Sequence, residues 1–124
     1  MGGMSDYKPL TASQGSRKLR EAVHHLEDVT EVFSQACDAA ADAEASWKIT
    51  EAKHHVRGDG PVSKLEREAK AKYEDLYRAY KMSAAVRESA HERVRSARTA
   101  VSALQTAAGS FKDQYQAANQ AYGP

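Results

Sequence analysis

Residues 65–111 read LEREAKAKYEDLYRAYKMSAAVRESAHERVRSARTAVSALQTAAGSF, with apolar or small residues at alternating steps of three and four. This spacing predicts one long helix with a heptad seam, as in coiled coils. A lone helix cannot bury its own stripe, so the chain must fold back on itself, assemble with copies of itself, or do both. The seam comprises Leu65, Ala69, Tyr73, Leu76, Tyr80, Ser83, Arg87, Ala90, Val94, Ala97, Val101, Leu104, Ala108 and Phe111.

A seven-residue repeat also runs through the first half of the chain, which predicts helix 1 over about 13–56 with Thr11 or Ser13 as its cap. Gly58-Asp59-Gly60-Pro61 is the strongest break, so we expect a turn at 57–62. Helix 2 is expected over about 63–108, with Ser63 and Glu66 as a capping box. A flexible arm at 1–12 and a tail or helix extension at 109–124 complete the organisation. The repeat comprises Leu19, Leu26, Phe33, Ala40, Trp47 and His54 in one set, and Ala22, Val29, Ala36, Ala43 and Thr50 in the other.

These patterns predict an all-α fold, in which the two long helices of residues 13–108 form an antiparallel coiled-coil-like hairpin. Large apolar residues are scarce, with two Phe and one Trp, so we expect the hairpin to assemble into a homo-oligomer. A second, narrower apolar surface consists of Val23, Val32, Ile49, Tyr77, Met82 and Val86. The predicted oligomer interface consists of Leu26, Phe33, Trp47, Tyr73, Leu76, Tyr80, Val94, Val101, Leu104 and Phe111.

The net charge of +1 hides an asymmetry between the two halves. Residues 1–60 carry 7 Lys/Arg and 10 Asp/Glu, a net charge of −3, whereas residues 61–124 carry 11 and 7, a net charge of +4. Either the two helices pair through complementary fields, or the basic half faces a polyanion.

The sequence carries no motif of an enzyme, a metal site or a cofactor site. The pairs His24-His25 and His54-His55 are adjacent on a helix, where side chains point about 100° apart, so neither pair chelates one metal. Glu51 and His55 supply two ligands at most, and no third follows by spacing. Cys37 is interpreted as structural and fits a reducing cytoplasm. No stretch is apolar enough to span a membrane.

A basic stripe on helix 2 is the candidate site. Its cations are spaced to contact successive phosphates of a nucleic acid, and Tyr77 is available to stack on a base. The alternative is a set of ordinary surface pairs, such as Glu92 with Arg95. The predicted nucleic-acid-binding residues are Arg67, Lys70, Tyr77, Lys81, Arg87, His91, Arg93, Arg95 and Arg98.

Arg87 is the one charged residue in the seam, where a charge is costly unless it is paired. It is expected either to bridge Asp38 or Asp42 of helix 1 and fix the register, or to face a channel in an oligomer.

The segment ERVRSARTAVSALQT at 92–106, preceded by EAKAKYEDLYRAYKMSAAV, resembles small helical proteins from the early gene clusters of tailed bacteriophages. Their Arg-x-x-Arg-x-x-x-Ser-x-x-Gln ending corresponds here to Arg95, Arg98, Ser102 and Gln105. The plan of two long helices, with Trp47 near the end of the first and a basic second helix, is similar to UvsY-type phage recombination mediators. That resemblance implies a ring-like homo-oligomer that binds single-stranded DNA and helps load a recombinase over single-strand-binding protein. The acidic helix 1 departs from the family pattern.

Two functional hypotheses follow. The first is a non-catalytic accessory protein of DNA recombination or replication, which binds single-stranded DNA as an oligomer and has a recombinase or single-strand-binding protein as a further partner. The second is a helical interaction module that binds or inhibits a host protein or organises an assembly through its exposed apolar residues.

Overall fold

The computed structural model of the chain describes residues 11–122, with side chains for residues 11–110. All regular structure in this range is helical, which confirms the predicted all-α class. Helix α1 covers Ala12–Arg57, α2 covers Val62–Lys72 and α3 covers Glu74–Tyr122. Most of the predicted N-terminal arm lies outside the described residues, as do Gly123 and Pro124. For residues 109–124 the sequence allowed either a tail or a helix extension. Helix α3 continues past Gly109, which corresponds to the helix extension.

Helix α1 begins with a reciprocal pair of capping hydrogen bonds. The Gln14 backbone N–H donates to Thr11 Oγ1 at 3.2 Å, and the Thr11 backbone N–H donates to Gln14 Oε1 at 3.1 Å. This is a capping box, which satisfies two backbone donors that the helix cannot satisfy itself. Of the two predicted caps, the structure therefore uses Thr11.

The predicted break at residues 58–61 is the connection between α1 and α2. The Gly58 N–H donates to the His54 carbonyl oxygen at 2.9 Å and closes the last turn of α1. Gly60 has φ +115°, a backbone conformation that residues with a Cβ rarely adopt.

The predicted capping box of Ser63 and Glu66 is wrong. Helix α2 begins at Val62, its N-cap is Pro61 with φ −65° and ψ 150°, and no side chain caps it. The Pro61 carbonyl oxygen accepts from the Leu65 N–H at 3.2 Å. The helix therefore begins before Ser63, since the proline ring already holds the entering backbone in place.

The second predicted helix is interrupted at Tyr73, whose φ of −117° and ψ of 42° are not helical. Backbone hydrogen bonds continue across it, from Tyr73 N–H to Ala69 O at 2.9 Å and from Tyr77 N–H to Tyr73 O at 3.1 Å. Leu65, Ala69, Tyr73 and Tyr77 follow each other at three successive steps of four, which a regular heptad does not contain. As a result Tyr77 is half-buried, and the predicted seam residue Leu76 is 37% exposed.

The described chain divides into two compact units, and residues 29–93 form one of them. In this central unit Phe33 stacks on His91 with ring centroids 5.2 Å apart, and Trp47 meets Tyr77 edge-on at 5.0 Å. Trp47 follows Phe33 by 14 residues, whereas Tyr77, the partner of Trp47, precedes His91, the partner of Phe33, by 14 residues. The core of this unit consists of Ala36, Ala40, Trp47, Leu65, Ala69 and Ala90, all buried.

The other unit comprises the residues up to Asp28 and those from Val94 onwards. Its buried side chains among the described residues are Val94, Ala97 and Val101, and Val94 is 1% exposed. All three lie on the predicted seam at steps of three and four, so the heptad identified the buried face of this part of α3.

The predicted oligomer-interface residues are mostly covered within one chain. Trp47, Val94 and Val101 are buried, which leaves them little surface for a second copy. Leu76 stays exposed, and the Phe111 side chain lies outside the described residues. The half-buried members are Leu26, Phe33, Tyr73, Tyr80 and Leu104.

Candidate nucleic-acid interface

Two lysines and three aromatic residues of the central unit form one group, which we call the lysine–aromatic cluster: Trp47, Lys70, Tyr77, Tyr80 and Lys81. The Lys70 and Lys81 ammonium groups lie 5.2 and 5.6 Å from the centroid of the Tyr77 ring. Lys81 also lies 5.2 Å from the Tyr80 ring. These distances are within the range in which a cation is attracted to the face of an aromatic ring.

The spacing along α2 and α3 explains how the cluster forms. Lys81 lies four residues after Tyr77, a step that returns to the same side of α3. Lys70 lies on α2, seven residues before Tyr77 and across the interruption at Tyr73. Trp47 is 3% exposed and packs edge-on against Tyr77, which fixes the ring that the lysines approach. The buried Trp47 of α1 thus holds the Tyr77 ring on which Lys70 of α2 and Lys81 of α3 lie.

Neither Lys70 nor Lys81 has a carboxylate partner among the described side chains. Lys48, Lys64 and Arg78, by contrast, each form an ion pair with a glutamate. Cations held on aromatic rings keep their charge available, because no fixed anion neutralises it. The cluster is therefore suited to an anionic ligand.

Lys48 is paired with Glu44 at 2.9 Å on α1. The hydrogen bond from Lys48 lowers the pKa of Glu44 below its ordinary 4.5, and the charges of Lys48 and, more weakly, Arg87 act in the same direction. The hydrogen bond and charge of Glu44 raise the pKa of Lys48 above 10.5. Arg87 is exposed, and its charge acts on Glu44 of α1. Its expected bridge to Asp38 or Asp42 is not among the ion pairs of the described residues, and the alternative of a channel in an oligomer stays a prediction.

We expect Glu44→Gln to return the pKa of Lys48 toward 10.5, measured by NMR titration of the lysine side chain. Because the pKa of Glu44 is lowered on folding, the pair stabilises the fold above pH 4.5 and loses this contribution as pH falls through the folded pKa. The raised pKa of Lys48 stabilises the fold below pH 10.5, and that contribution is lost as pH rises through its folded pKa. Arg87→Gln is the comparison, since it should raise the pKa of Glu44 less than Lys48→Gln does. If Arg87→Gln raised the pKa of Glu44 more than Lys48→Gln does, Lys48 would not be the main cause of the lowered pKa.

The other predicted nucleic-acid-binding residues are not members of the lysine–aromatic cluster. His91 is half-buried and stacks on Phe33, and it lines a shallow cleft with Arg87 and Glu88. Stacking inside the unit reduces the ring surface that His91 can offer to a base. Arg67 on α2 and Arg93 on α3 are exposed in the central unit, and Arg95 and Arg98 are exposed in the other unit.

Tyr77 also differs from its predicted role. The sequence placed it beside the seam as a ring free to stack on a base, whereas the structure packs it against Trp47. The sequence allows either residue to point inward, since Leu76 lies a step of three and Tyr77 a step of four after Tyr73. The contacts of Lys81 with Tyr80 and of Trp47 with Tyr77 were not anticipated.

The histidines near the turn take part in local contacts. His54 Nε2 lies 3.3 Å from Glu68 Oε2, and its ring meets Tyr73 edge-on at 6.1 Å. His55 Nε2 is buried without a hydrogen-bond partner among the described residues, and Cys37 is a half-buried free thiol.

No group of three or more metal-ligating side chains forms within residues 11–110. Of the described helices, none combines the length and apolar character needed to cross a membrane.

The fold and the cluster define the class of protein only broadly, as an all-helical chain whose described surface joins unpaired lysines to aromatic rings. A comparison of the chain with known protein families, curated proteins and solved structures finds no match in any of the three. The resemblance to UvsY-type mediators therefore stays a prediction drawn from the residues.

Proposed function

We propose that this chain is a non-catalytic accessory protein of DNA recombination or replication that binds single-stranded DNA and assembles with copies of itself. The observation that carries the proposal is the lysine–aromatic cluster, in which two lysines without carboxylate partners lie on the ring of Tyr77. The protein would act in the bacterial cytoplasm, with a recombinase or single-strand-binding protein as a further partner.

The proposed architecture of the central unit is an antiparallel coiled-coil-like hairpin. Opposite 14-residue steps between two aromatic contacts support it, since residue numbers rise along one helix and fall along the other. The close approach of Gly58 to Leu65 across the short turn supports it as well. In such a hairpin the acidic α1 lies beside the basic α2 and α3, so part of the charge asymmetry is satisfied within the chain.

Single-stranded DNA fits the cluster because it presents phosphates and bases together. Proteins that bind it without sequence preference combine cations along the backbone with aromatic side chains near the bases. Here Lys70 and Lys81 would contact phosphates, while the half-buried rings of Tyr77 and Tyr80 hold the lysines in place. The exposed Arg93 of the same unit would add a phosphate contact, and the contacts expected of Arg95 and Arg98 stay predictions for the other unit.

The test is the double variant Lys70→Gln/Lys81→Gln, titrated against a fluorescently labelled dT oligonucleotide. Each phosphate contact on a single strand contributes about 0.7 to the slope of log affinity against log salt, so the double variant should lose about 1.4. The matched control is Lys48→Gln/Lys64→Gln, which removes two lysines already paired with carboxylates and should change the slope less. Equal losses from both pairs would refute the site, and alanine at Arg95 and Arg98 tests the arginines in the same assay.

A second candidate function is a helical module that binds another protein. The supporting observation is exposed apolar surface, with Val32 at 47%, Ile49 at 56%, Met82 at 61% and Val86 at 57% exposure. Val23 was predicted to belong to this set, but it is half-buried. Salt separates the two functions, because polyanion binding weakens steeply with salt and an apolar contact between helices hardly changes.

A further inference from the structure

Within residues 11–110, no phenylalanine, tryptophan or tyrosine side chain is exposed. All of these aromatic residues belong to the central unit, where Trp47 is buried and the others are half-buried. A base stacks on an aromatic ring only where the ring offers it an open face. The described rings therefore offer little surface to a base. They are Phe33, Trp47, Tyr73, Tyr77 and Tyr80.

Two of these rings lie outside the lysine–aromatic cluster and contact neighbours of their own. Phe33 stacks on His91 with ring centroids 5.2 Å apart. Tyr73 meets the His54 ring edge-on at 6.1 Å, and the Lys72 ammonium group lies 5.5 Å from the Tyr73 centroid. Contacts within the unit thus already occupy both rings.

Inside the cluster, the cations occupy the space that a stacked base would need. The ammonium groups of Lys70 and Lys81 lie over the Tyr77 ring at 5.2 and 5.6 Å, and Lys81 also lies over the Tyr80 ring at 5.2 Å. A cation attracted to a ring sits at the face of that ring, which is also where a base stacks. A base on either tyrosine would therefore have to displace a lysine.

A single strand can bind this arrangement without stacking on it. Contacts to phosphates are the part of nucleic-acid binding that does not depend on sequence. Lys70 and Lys81 share one ring, so neighbouring phosphates of one strand can reach both ammonium groups. The bases of the same strand can then point away from the cluster.

We propose that the lysine–aromatic cluster recognises the phosphates of a strand and stacks no base, because its rings serve to hold the cations. This inference rests on the proposed function and deepens it by naming the part of the strand that the cluster contacts. Many proteins that bind single strands stack bases on exposed rings. Here the tyrosines are positioning residues that act through the lysines.

The experiment compares two labelled strands of equal length, a dT oligonucleotide and a phosphodiester strand whose tetrahydrofuran units carry no bases. Both are titrated at the same salt concentration with wild type, Tyr77→Leu, Tyr80→Leu and Tyr77→Phe. Each leucine variant should weaken the binding of both strands by the same factor, about two- to fivefold, the value of one contact between a cation and a ring. Tyr77→Phe keeps the ring and should bind both strands as wild type does.

Comparing the two strands for each variant cancels the contacts that the strand makes elsewhere on the chain. If a ring stacked on a base, its removal would weaken dT binding by about fivefold or more beyond its effect on the strand without bases. That result overturns the proposal, and so does a leucine variant that binds both strands as wild type does. Circular dichroism verifies that each variant is folded, and Tyr80→Leu provides the comparison by itself if Tyr77→Leu does not fold.

Wild-type binding separates this inference from the proposed function. If wild type binds dT but not the strand without bases, the proposed function stands and this inference fails alone. If wild type binds neither strand, the proposed function fails and this inference fails with it.

Discussion

Trp47→Ala is expected to lower the free energy of unfolding of the central unit by about 3–5 kcal/mol, the usual loss for truncating a buried tryptophan to alanine. Trp47 is 3% exposed and its ring lies 5.0 Å from that of Tyr77, so the substitution leaves a cavity and removes an aromatic contact. Because small domains are stable by only about 5–15 kcal/mol, this loss would remove a large share of the stability. Urea denaturation followed by the helical signal measures it.

Ile49→Ala is the control for this prediction. Ile49 lies two residues from Trp47 on the same helix but is 56% exposed, so its truncation should cost less than about 1 kcal/mol. Similar losses from the two variants would contradict the assignment of Trp47 to the core. Trp47→Ala should also release the Tyr77 ring and weaken the lysine–aromatic cluster.

Gly58→Ala is expected to destabilise the turn by about 1–3 kcal/mol, the cost of forcing an extra methyl group into a packed site. An added Cβ would lie 2.5 Å from Leu65 Cδ2 and 3.1 Å from the His54 carbonyl oxygen. Leu65 is 5% exposed and cannot swing into solvent, and the carbonyl oxygen belongs to the helix backbone. Thermal and urea unfolding of the variant measure the effect.

Gly109→Ala should have the opposite sign. Gly109 lies inside α3 and a Cβ there would meet nothing within 4 Å. Alanine in a helix interior is favoured over glycine by about 1 kcal/mol, so this variant should be stabilised. Stabilisation by both substitutions would contradict the close packing of the turn.

The heptad spacing predicted the all-helical class and much of the buried face. Leu65, Ala69, Ala90 and Val94 lie on the predicted seam and are buried, because steps of three and four keep one side of a helix toward its neighbours. The break at 58–61 was also predicted from the sequence, since two glycines and a proline so close together disfavour a continuous helix.

The sequence placed Leu76 on the seam, but Tyr77 is the half-buried residue. The reason is that the heptad pattern allows either of them. From Tyr73 the seam reaches Tyr80 either through Leu76 or through Tyr77, and both routes combine one step of three with one of four. The non-helical dihedral angles of Tyr73 decide between them, and a periodic pattern carries no information about them.

The sequence predicted the cations of the candidate site as a stripe along helix 2. It did not predict that two of them lie on one aromatic ring. Lys70 and Lys81 were chosen for charge and spacing, but their approach to one ring depends on Tyr77 being held by Trp47. That contact joins two helices, and its register follows from the packing of the turn rather than from either helix alone. Arg87 shows a limit of the heptad pattern, since it occupies a seam position and is nevertheless exposed.

The central claim is that the chain binds single-stranded DNA through Lys70 and Lys81, which have no carboxylate partner among the described side chains. The most direct test is the anisotropy of a labelled dT oligonucleotide titrated with wild-type protein at about 50 mM and about 200 mM salt. The account predicts binding at the lower concentration and a steep loss of affinity at the higher one. No binding at low salt, or an affinity that salt leaves unchanged, would contradict it and leave the protein-interaction module as the better explanation.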